Sequence, residues 1–155
     1  MTLQERCLIP MVDEKWYTRI ESYILTTLKY ELVQKLLAPY PKLKCTTSNQ
    51  AESLEDVNDF PTLYVHMLTP YEVGRDLTNT TVNGLNCTFE LQVFSDKSEK
   101  ECRNIIADAI HEMKKLHFNV EMFPDPRTYD KKYTAIARVN RIIGGNDSEI
   151  VPQAY

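Results

Sequence analysis

Histidine is the side chain most often used as a catalytic base or metal ligand, and this chain has three, His66, His111 and His117. A zinc or metalloprotease site on a helix needs two histidines one turn apart, in the pattern H-x-x-x-H or H-E-x-x-H. None of the three has such a partner in the sequence. We therefore predict a solvated or structural role for each histidine and no metal site.

The cysteines could supply a nucleophile or soft metal ligands. They form no C-x-x-C pair and have no zinc-knuckle spacing, which argues against metal binding. Two of them, Cys87 and Cys102, fall on apolar positions of a predicted strand and a predicted helix. We expect buried free thiols in a reducing compartment and no disulfides. The full set is Cys7, Cys45, Cys87 and Cys102.

Hydrolase and nucleotide-binding chemistry also lack their local patterns. No serine lies in a G-x-S-x-G elbow, and Ser98 is needed as a helix cap. Gly144 and Gly145 end a predicted strand with no helix behind it, so they cannot form a phosphate-binding loop. A small hydrolase would need a pocket that joins Cys45 or Glu90 to a histidine. We predict no enzymatic activity and no cofactor.

The composition is that of one mildly acidic globular domain. The 155 residues include 18 Lys and Arg against 22 Asp and Glu, a net charge of −4, whereas nucleic-acid-binding surfaces normally have a basic excess. The apolar run at residues 7–12 is too short for the core of a signal peptide, and no apolar stretch is as long as a membrane span. We expect a protein made in the cytoplasm, with no membrane partner.

Two segments have the apolar spacing of amphipathic helices. Residues 15–37 form the first, with Asp13 as a candidate N-cap and Pro39 as the residue that ends the helix. The second begins with Ser98 and Glu101 at the spacing of a capping box and runs to about Leu116. Each has one apolar stripe, so both are predicted to pack on a sheet. The stripe of the first helix is Trp16, Ile20, Tyr23, Ile24, Leu28, Leu32, Leu36 and Leu37.

The other apolar segments alternate as half-buried strands do. The clearest is residues 82–94, in which apolar side chains share one face and Glu90 and Gln92 lie on the polar face. These elements predict an α+β fold, a two-layer sandwich of a mainly antiparallel sheet with two helices on one face. The remaining strands are predicted at residues 43–47, 62–68, 118–122 and 133–143, with an exposed loop at 48–59 and a turn at Pro124, Asp125 and Pro126.

Residues 14–146 are predicted to form this single domain, between an N-terminal extension at 1–13 and a flexible C-terminal tail at 147–155. Within the domain, residues 69–81 contain Pro70, Gly74 and a run of threonines. That composition is typical of a long turn, so the segment is predicted to project as a flexible hairpin arm. The polar face of the sheet must meet water, a cavity or a partner.

The order of these elements resembles the tail terminator, or tail completion, proteins of long-tailed bacteriophages. The likeness covers roughly residues 14–144 and is carried by the long first helix, an Ile- and Ala-rich second helix, and three short stretches. They are the strand entry Phe60-Pro61-Thr62-Leu63-Tyr64-Val65, the segment from Cys87 to Asp96, and the Phe123-Pro124-Asp125 turn before the strand through Ala137-Arg138-Val139.

The resemblance implies a subunit that forms a ring, usually a hexamer, at the head-proximal end of the tail tube. Such a ring stops tube growth, offers a surface for head joining and lets DNA pass, so the implied partners are other copies, the tail tube protein and a head-tail connector. The implied location is the tail of the virion, at the head-tail junction. Other head-tail connector or neck proteins and a cytosolic protein-binding adaptor are the alternatives.

Within such a ring, the sequence predicts two surfaces. The arm is expected to make the protein contacts, because it has no apolar set to anchor it to its own core. Glu90 and Gln92 are expected to face the channel, and an acidic lumen would not bind DNA. The predicted interface residues of the arm are Tyr71, Glu72, Arg75, Asp76 and Asn79.

Overall fold

The structure is a computed structural model, and it describes residues 15–47, 61–75, 77–129 and 132–151. The first helical segment begins as a 3-10 turn at Trp16–Arg19, continues as α1 at Ile20–Lys29 and ends as a π-helix at Tyr30–Gln34. The second helix, α2, spans Glu99–Lys115. Asp13, the predicted cap of the first helix, lies outside the described residues.

The first helix ends three residues earlier than the sequence predicts. The Lys35 N–H donates to the carbonyl of Tyr30 at 2.8 Å, a five-residue step that widens the last turn, and Lys35 itself is extended. The predicted stripe is correct up to Leu32, which is buried, but Leu36 and Leu37 are 97% and 88% exposed. The apolar spacing predicted a longer helix because no strong helix-breaking residue lies at the position where the helix ends.

The second helix begins as predicted. The Ser98 hydroxyl accepts a hydrogen bond from the Glu101 N–H at 3.1 Å, which satisfies one of the free donors of the first turn. At the other end, His117 has a φ of 66° and its N–H donates to the carbonyl of Lys114. His117 therefore ends the helix in the left-handed conformation, where glycine or asparagine is more usual. None of the described helices is long and apolar enough to cross a membrane.

The described strands are β1 Lys44–Thr46, β2 Thr62–Met67, β3 Tyr71–Val73, β4 Gly84–Ser95, β5 Asn119–Tyr129 and β6 Lys132–Gly144. They form one six-stranded sheet in the order β1-β2-β4-β6-β5, with β3 paired to β4 beyond the end of β2. Only β1 and β2 are parallel among the described pairs. The predicted two-layer α+β sandwich is confirmed.

Both helices pack on the same face of the sheet, here called the core face, and their stripes and the sheet form one apolar cluster. Leu28 of α1 and Ile106 of α2 are 1% and 0% exposed, as the apolar spacing predicts. The core face of β4 follows the predicted alternation, because Leu85, Cys87, Phe89, Leu91 and Val93 are all buried.

Two loop predictions are wrong in the middle of the chain. Tyr71–Val73, predicted as part of the arm, is strand β3 and pairs with residues 84–86 of β4. Pro124, Asp125 and Pro126 form no turn, because β5 runs through them and pairs with β6 as far as Tyr129. The ladder accommodates the prolines with register shifts between Val120 and Met122 and between Met122 and Asp125. Edge strands and bulges are where proline is tolerated in a sheet, since no second ladder needs its missing N–H.

The predicted flexible tail is wrong for residues 147–151. Ile150 and Val151 are 0% and 3% exposed and belong to the core cluster. Arg141, on the core face of β6, donates to the carbonyl of Leu116 at 2.7 Å and pairs with the carboxylate of Asp147. The arginine thus ties this C-terminal turn to the end of α2. Residues 152–155 lie outside the described residues.

Candidate interaction surfaces

The described part of the predicted arm, residues 74–75 and 77–83, lies between β3 and β4 and is here called the hairpin loop; the sheet closes its base. Gly74 has a φ of 69°, and the Asn83 side chain donates to its carbonyl at 2.9 Å. Asn79 also has positive φ, 52°, a conformation that asparagine tolerates better than most residues. Leu77 in this loop is fully exposed at 106%. The loop therefore projects from the fold with a defined base and an unburied apolar side chain.

The structure brings some of the predicted interface residues together. Arg75 Nε lies 3.3 Å from Glu72 Oε1, so the two charges that were expected to meet a neighbour already pair with each other. Tyr71 is 61% exposed and Asn79 lies farther along the loop, also exposed. Asp76 lies outside the described residues.

The face of the sheet opposite the core face is here called the far face. Next to the hairpin loop it carries a row of three side chains that the sequence did not predict as a surface. Tyr71, Asn86 and Ile142 are cross-strand partners, and Ile142 is 61% exposed. The Asn86 Nδ2 donates to the Tyr71 hydroxyl at 2.5 Å, while its enclosed Oδ1 has no donor among the described residues. An exposed tyrosine and isoleucine beside a half-satisfied amide are typical of a surface that is covered by a partner.

Glu90 and Gln92 both lie on the far face, as the alternation predicts. The Arg138 guanidinium lies 3.0 Å from Glu90, and Gln92 Nε2 donates to the Thr134 hydroxyl at 3.3 Å. Both residues are half-buried. Because Arg138 neutralises Glu90, this part of the far face is not the acidic surface that the sequence predicted.

One end of the far face is covered rather than open. Tyr64 and Phe94 on this face are 7% and 6% exposed, although they lie outside the core cluster. The Tyr64 ring stacks on His66 with centroids 5.7 Å apart, and burial raises the pKa of the tyrosine hydroxyl. Water can therefore reach the Asn86 end of this face more easily than the Phe94 end.

A small hydrolase would need Cys45 or Glu90 beside a histidine, and of these the structure places Glu90, which is paired with Arg138, opposite His66. Cys45 packs against the core, whereas His66 lies across the sheet on the far face, where its cross-strand partner is Glu90. Burial raises the pKa of the Cys45 thiol to about 11, so little thiolate exists at neutral pH. The Glu21 carboxylate lies 3.8 Å from His66 Nδ1 but already accepts the Met67 N–H at 2.9 Å, where it caps the outer edge of β2.

Burial has the same effect on the other described thiols. Burial raises the pKa of Cys87 to about 11 and that of Cys102 to about 12, and all three described cysteines are free. No group of three His, Cys, Asp or Glu side chains in the described residues could hold a metal ion.

A cleft of about 500 Å³ opens where the first helical segment meets one end of the sheet, at the start of β4 and the end of β6. Its wall is Trp16, whose Nε1 donates to the Val82 carbonyl at 3.3 Å. Gly145 lies against the indole so closely that a Cβ there would come within 3.0 Å of Trp16 Nε1. None of the described residues that line the cleft is charged; they are Trp16, Tyr17, Thr80, Thr81, Val82, Asn83, Gly145 and Asn146.

The chain matches no protein-family model and no curated protein sequence.

Proposed function

We propose that this protein is a non-enzymatic assembly protein of a long-tailed bacteriophage, which forms a ring on the head-proximal end of the tail tube. The ring stops polymerisation of the tube and presents the surface to which the head is joined. Its partners are other copies of itself, expected to be six in the ring, the tail tube protein and a head-tail connector. It acts at the head-tail junction of the virion after assembly in the host cytoplasm.

One observation supports this proposal best: the exposed apolar side chains lie at several separate places and not around a single pocket. A ring subunit must contact two neighbours, the tube and the connector, and so needs more than one contact surface. An enzyme with this fold would instead be expected to concentrate polar groups in one concave site. Among the described residues, the exposed large apolar side chains are Tyr71 and Ile142 on the far face, Leu77 in the hairpin loop, Tyr17 and Tyr30 on the first helical segment, Leu36 and Leu37 before β1, and Phe123 on β5.

The hairpin loop is the surface that we assign to the tube. It projects from one end of the sheet, it lies beside the exposed pair Tyr71 and Ile142, and the side chain of Leu77 is fully exposed. The far face remains the surface that we assign to the channel. Its Glu90–Arg138 pair leaves it charge-balanced, so it offers DNA few cations to bind.

The test is a tube-capping assay with the tail tube protein encoded in the same genome. The wild-type chain should shorten the tubes that the tail tube protein forms, and it should be visible at one end of each tube. Both are measured by negative-stain electron microscopy. Replacing residues 74–81 by a short Gly-Ser turn should abolish capping, while circular dichroism and the free energy of unfolding stay close to wild type. β3 is kept, because it pairs with β4.

Two results would contradict the proposal. Tubes that grow equally with and without the wild-type chain would remove the terminator role, and binding to the connector without binding to tubes would move the protein to the neck. Full capping by the shortened variant would show that the hairpin loop is not the tube contact.

A further inference from the structure

The segment that leads into β1 combines positive charge with exposed leucines. Residues 29–44 contain four lysines and a single glutamate, in a chain with a net charge of −4. Lys29, Lys42 and Lys44 are exposed, and Lys35 pairs with Glu31. We call this surface the basic edge; it consists of Lys29, Lys35, Lys42 and Lys44 together with Leu36 and Leu37.

The two leucines are held in water by a well-anchored turn. The Ala38 N–H donates to the Lys35 carbonyl at 2.8 Å, and the Tyr40 hydroxyl bonds to the Asp108 carboxylate of α2. A flexible turn could bury its leucines on its own core, but this one fixes Leu36 and Leu37 at 97% and 88% exposure. Two adjacent ordered leucines that remain exposed are an apolar surface that a partner would cover favourably.

The opposite edge of the sheet has the complementary character. β5 is the last strand in the order β1-β2-β4-β6-β5, and Phe123 on it is 73% exposed between the exposed acids Glu121 and Asp125. Arg127 pairs with Asp125 at 3.0 Å, so the charge that remains is that of Glu121. We call Glu121, Phe123 and Asp125 the acidic edge.

The backbone of β5 directs these side chains outward, and its prolines prevent a neighbouring strand from pairing with it. Glu121 and Phe123 lie where the register with β6 shifts, and such bulges commonly re-aim side chains at functional surfaces. Pro124 and Pro126 have no N–H, so a neighbouring strand could not continue the ladder here. A partner at this edge must therefore be bound by side chains.

We propose that the basic edge of one copy binds the acidic edge of the next copy. Leu36 and Leu37 would cover Phe123, and Lys42 would lie near Glu121. Because the two surfaces are different and belong to opposite edges of the sheet, the contact is head to tail, which generates a closed ring when the rotation between copies closes. This inference deepens the proposed function, since it names the contact between neighbouring subunits of the ring.

The test is sedimentation velocity of the full chain over a range of concentrations. Wild type should self-associate, and Lys42→Glu and Glu121→Lys should each weaken self-association by on the order of tenfold or more, because each places like charges together. The double variant Lys42→Glu with Glu121→Lys in one chain should restore it, because the swapped charges are again complementary. Leu36→Asp with Leu37→Asp should abolish it.

Lys114→Glu is the matched control. It makes the same change in net charge as Lys42→Glu at an exposed position on the last turn of α2, outside both edges. This variant should associate like wild type. The circular dichroism spectrum of every variant should match that of wild type, which distinguishes a loss of association from a loss of folding.

Several outcomes would overturn the inference. A wild-type chain that stays monomeric, or a double variant as weak as the single ones, would exclude the contact between the two edges. Loss of association in Lys42→Glu but not in Glu121→Lys would point to another acidic occupant, such as residues 48–60 of the chain itself, which carry Glu52, Glu55, Asp56 and Asp59. Binding of the monomer to anionic vesicles through Leu36 and Leu37 would assign the basic edge to a membrane.

The same variants separate this inference from the proposed function. If wild type caps tail tubes but the single charge variants associate like wild type, or the double variant does not restore association, only the contact between edges is wrong. If the swap restores association but no form of the protein caps tubes, the contact stands and the terminator role fails.

Discussion

The hairpin loop and the C-terminal turn are both short polar segments that follow a strand, yet they behave in opposite ways. Residues 77–81 of the loop are exposed, whereas Ile150 and Val151 of the turn are buried in the core. The difference does not follow from overall polarity, because Asp147, Ser148 and Glu149 precede the buried pair.

The contrast comes from what each segment finds next to it. The C-terminal turn lies against Arg141, which is largely buried. The Arg141 guanidinium pairs with Asp147 and also donates to the Leu116 carbonyl at the end of α2. The hairpin loop is bonded near its base, where Asn83 bonds the Gly74 carbonyl and Val82 accepts a hydrogen bond from the Trp16 indole, and its residues 77–81 stay exposed. A segment is thus held in place by a complementary charge and an apolar contact on a neighbouring element. Its own composition is a weak guide to whether it is buried.

The largest loss of stability should come from removing the buried side chain that anchors the C-terminal turn in the core. Ile150 is fully buried, so Ile150→Ala should lower the free energy of unfolding by about 2–5 kcal/mol, through lost burial and the cavity that remains. Urea denaturation measures this directly. A loss below about 1 kcal/mol would mean that the turn is not part of the cooperative core.

Removing the charge that anchors the turn should have the next largest effect. Arg141→Met keeps much of the side-chain volume but removes the guanidinium that donates to Asp147 Oδ2 and to the Leu116 carbonyl. Hydrogen bonds to charged groups contribute about 1.5–3 kcal/mol, and a loss of that size is expected. Amide hydrogen exchange should accelerate in residues 147–151 before it does in β4; uniform acceleration would show that Arg141 does not act locally.

A smaller effect is expected where the two regions meet. Trp16 bonds the end of the hairpin loop at Val82 and packs on Gly145 beside the C-terminal turn. The methyl group of Gly145→Ala would push the indole away, at a cost of about 1–2 kcal/mol. The chain has one tryptophan, so its fluorescence should shift in the folded variant. An unchanged spectrum would show that the cleft adapts without moving Trp16.

The smallest effect on stability should come from the tip of the hairpin loop. Leu77 is fully exposed, so Leu77→Ala should change the free energy of unfolding by less than about 0.5 kcal/mol, a matched contrast to Ile150→Ala. If the loop is the tube contact, Leu77→Asp should reduce tube capping at the same time. A variant that is strongly destabilised would mean that the loop packs on the domain in solution.

Local patterns predicted much of the fold and less of the surfaces. The alternation in β4 placed Glu90 and Gln92 on the face away from the helices, but it carried no information about Arg138, which pairs with Glu90 from another strand. The arm was identified from its turn residues, while the pairing of Tyr71–Val73 with β4 depends on a partner strand and was missed. The exposed leucines at 36 and 37 have the same spacing as the buried residues before them.

The sequence by itself determined what depends on neighbours a few residues apart. The stripe of α2, its cap at Ser98 and the alternation of β4 all follow from the periods of the helix and the strand. Only the tertiary structure decided the end of the first helix, the path of β5 through Pro124 and Pro126, and the burial of Ile150 and Val151. The path of β5 and the burial of Ile150 and Val151 depend on contacts with other elements, whose free energy outweighs local preference.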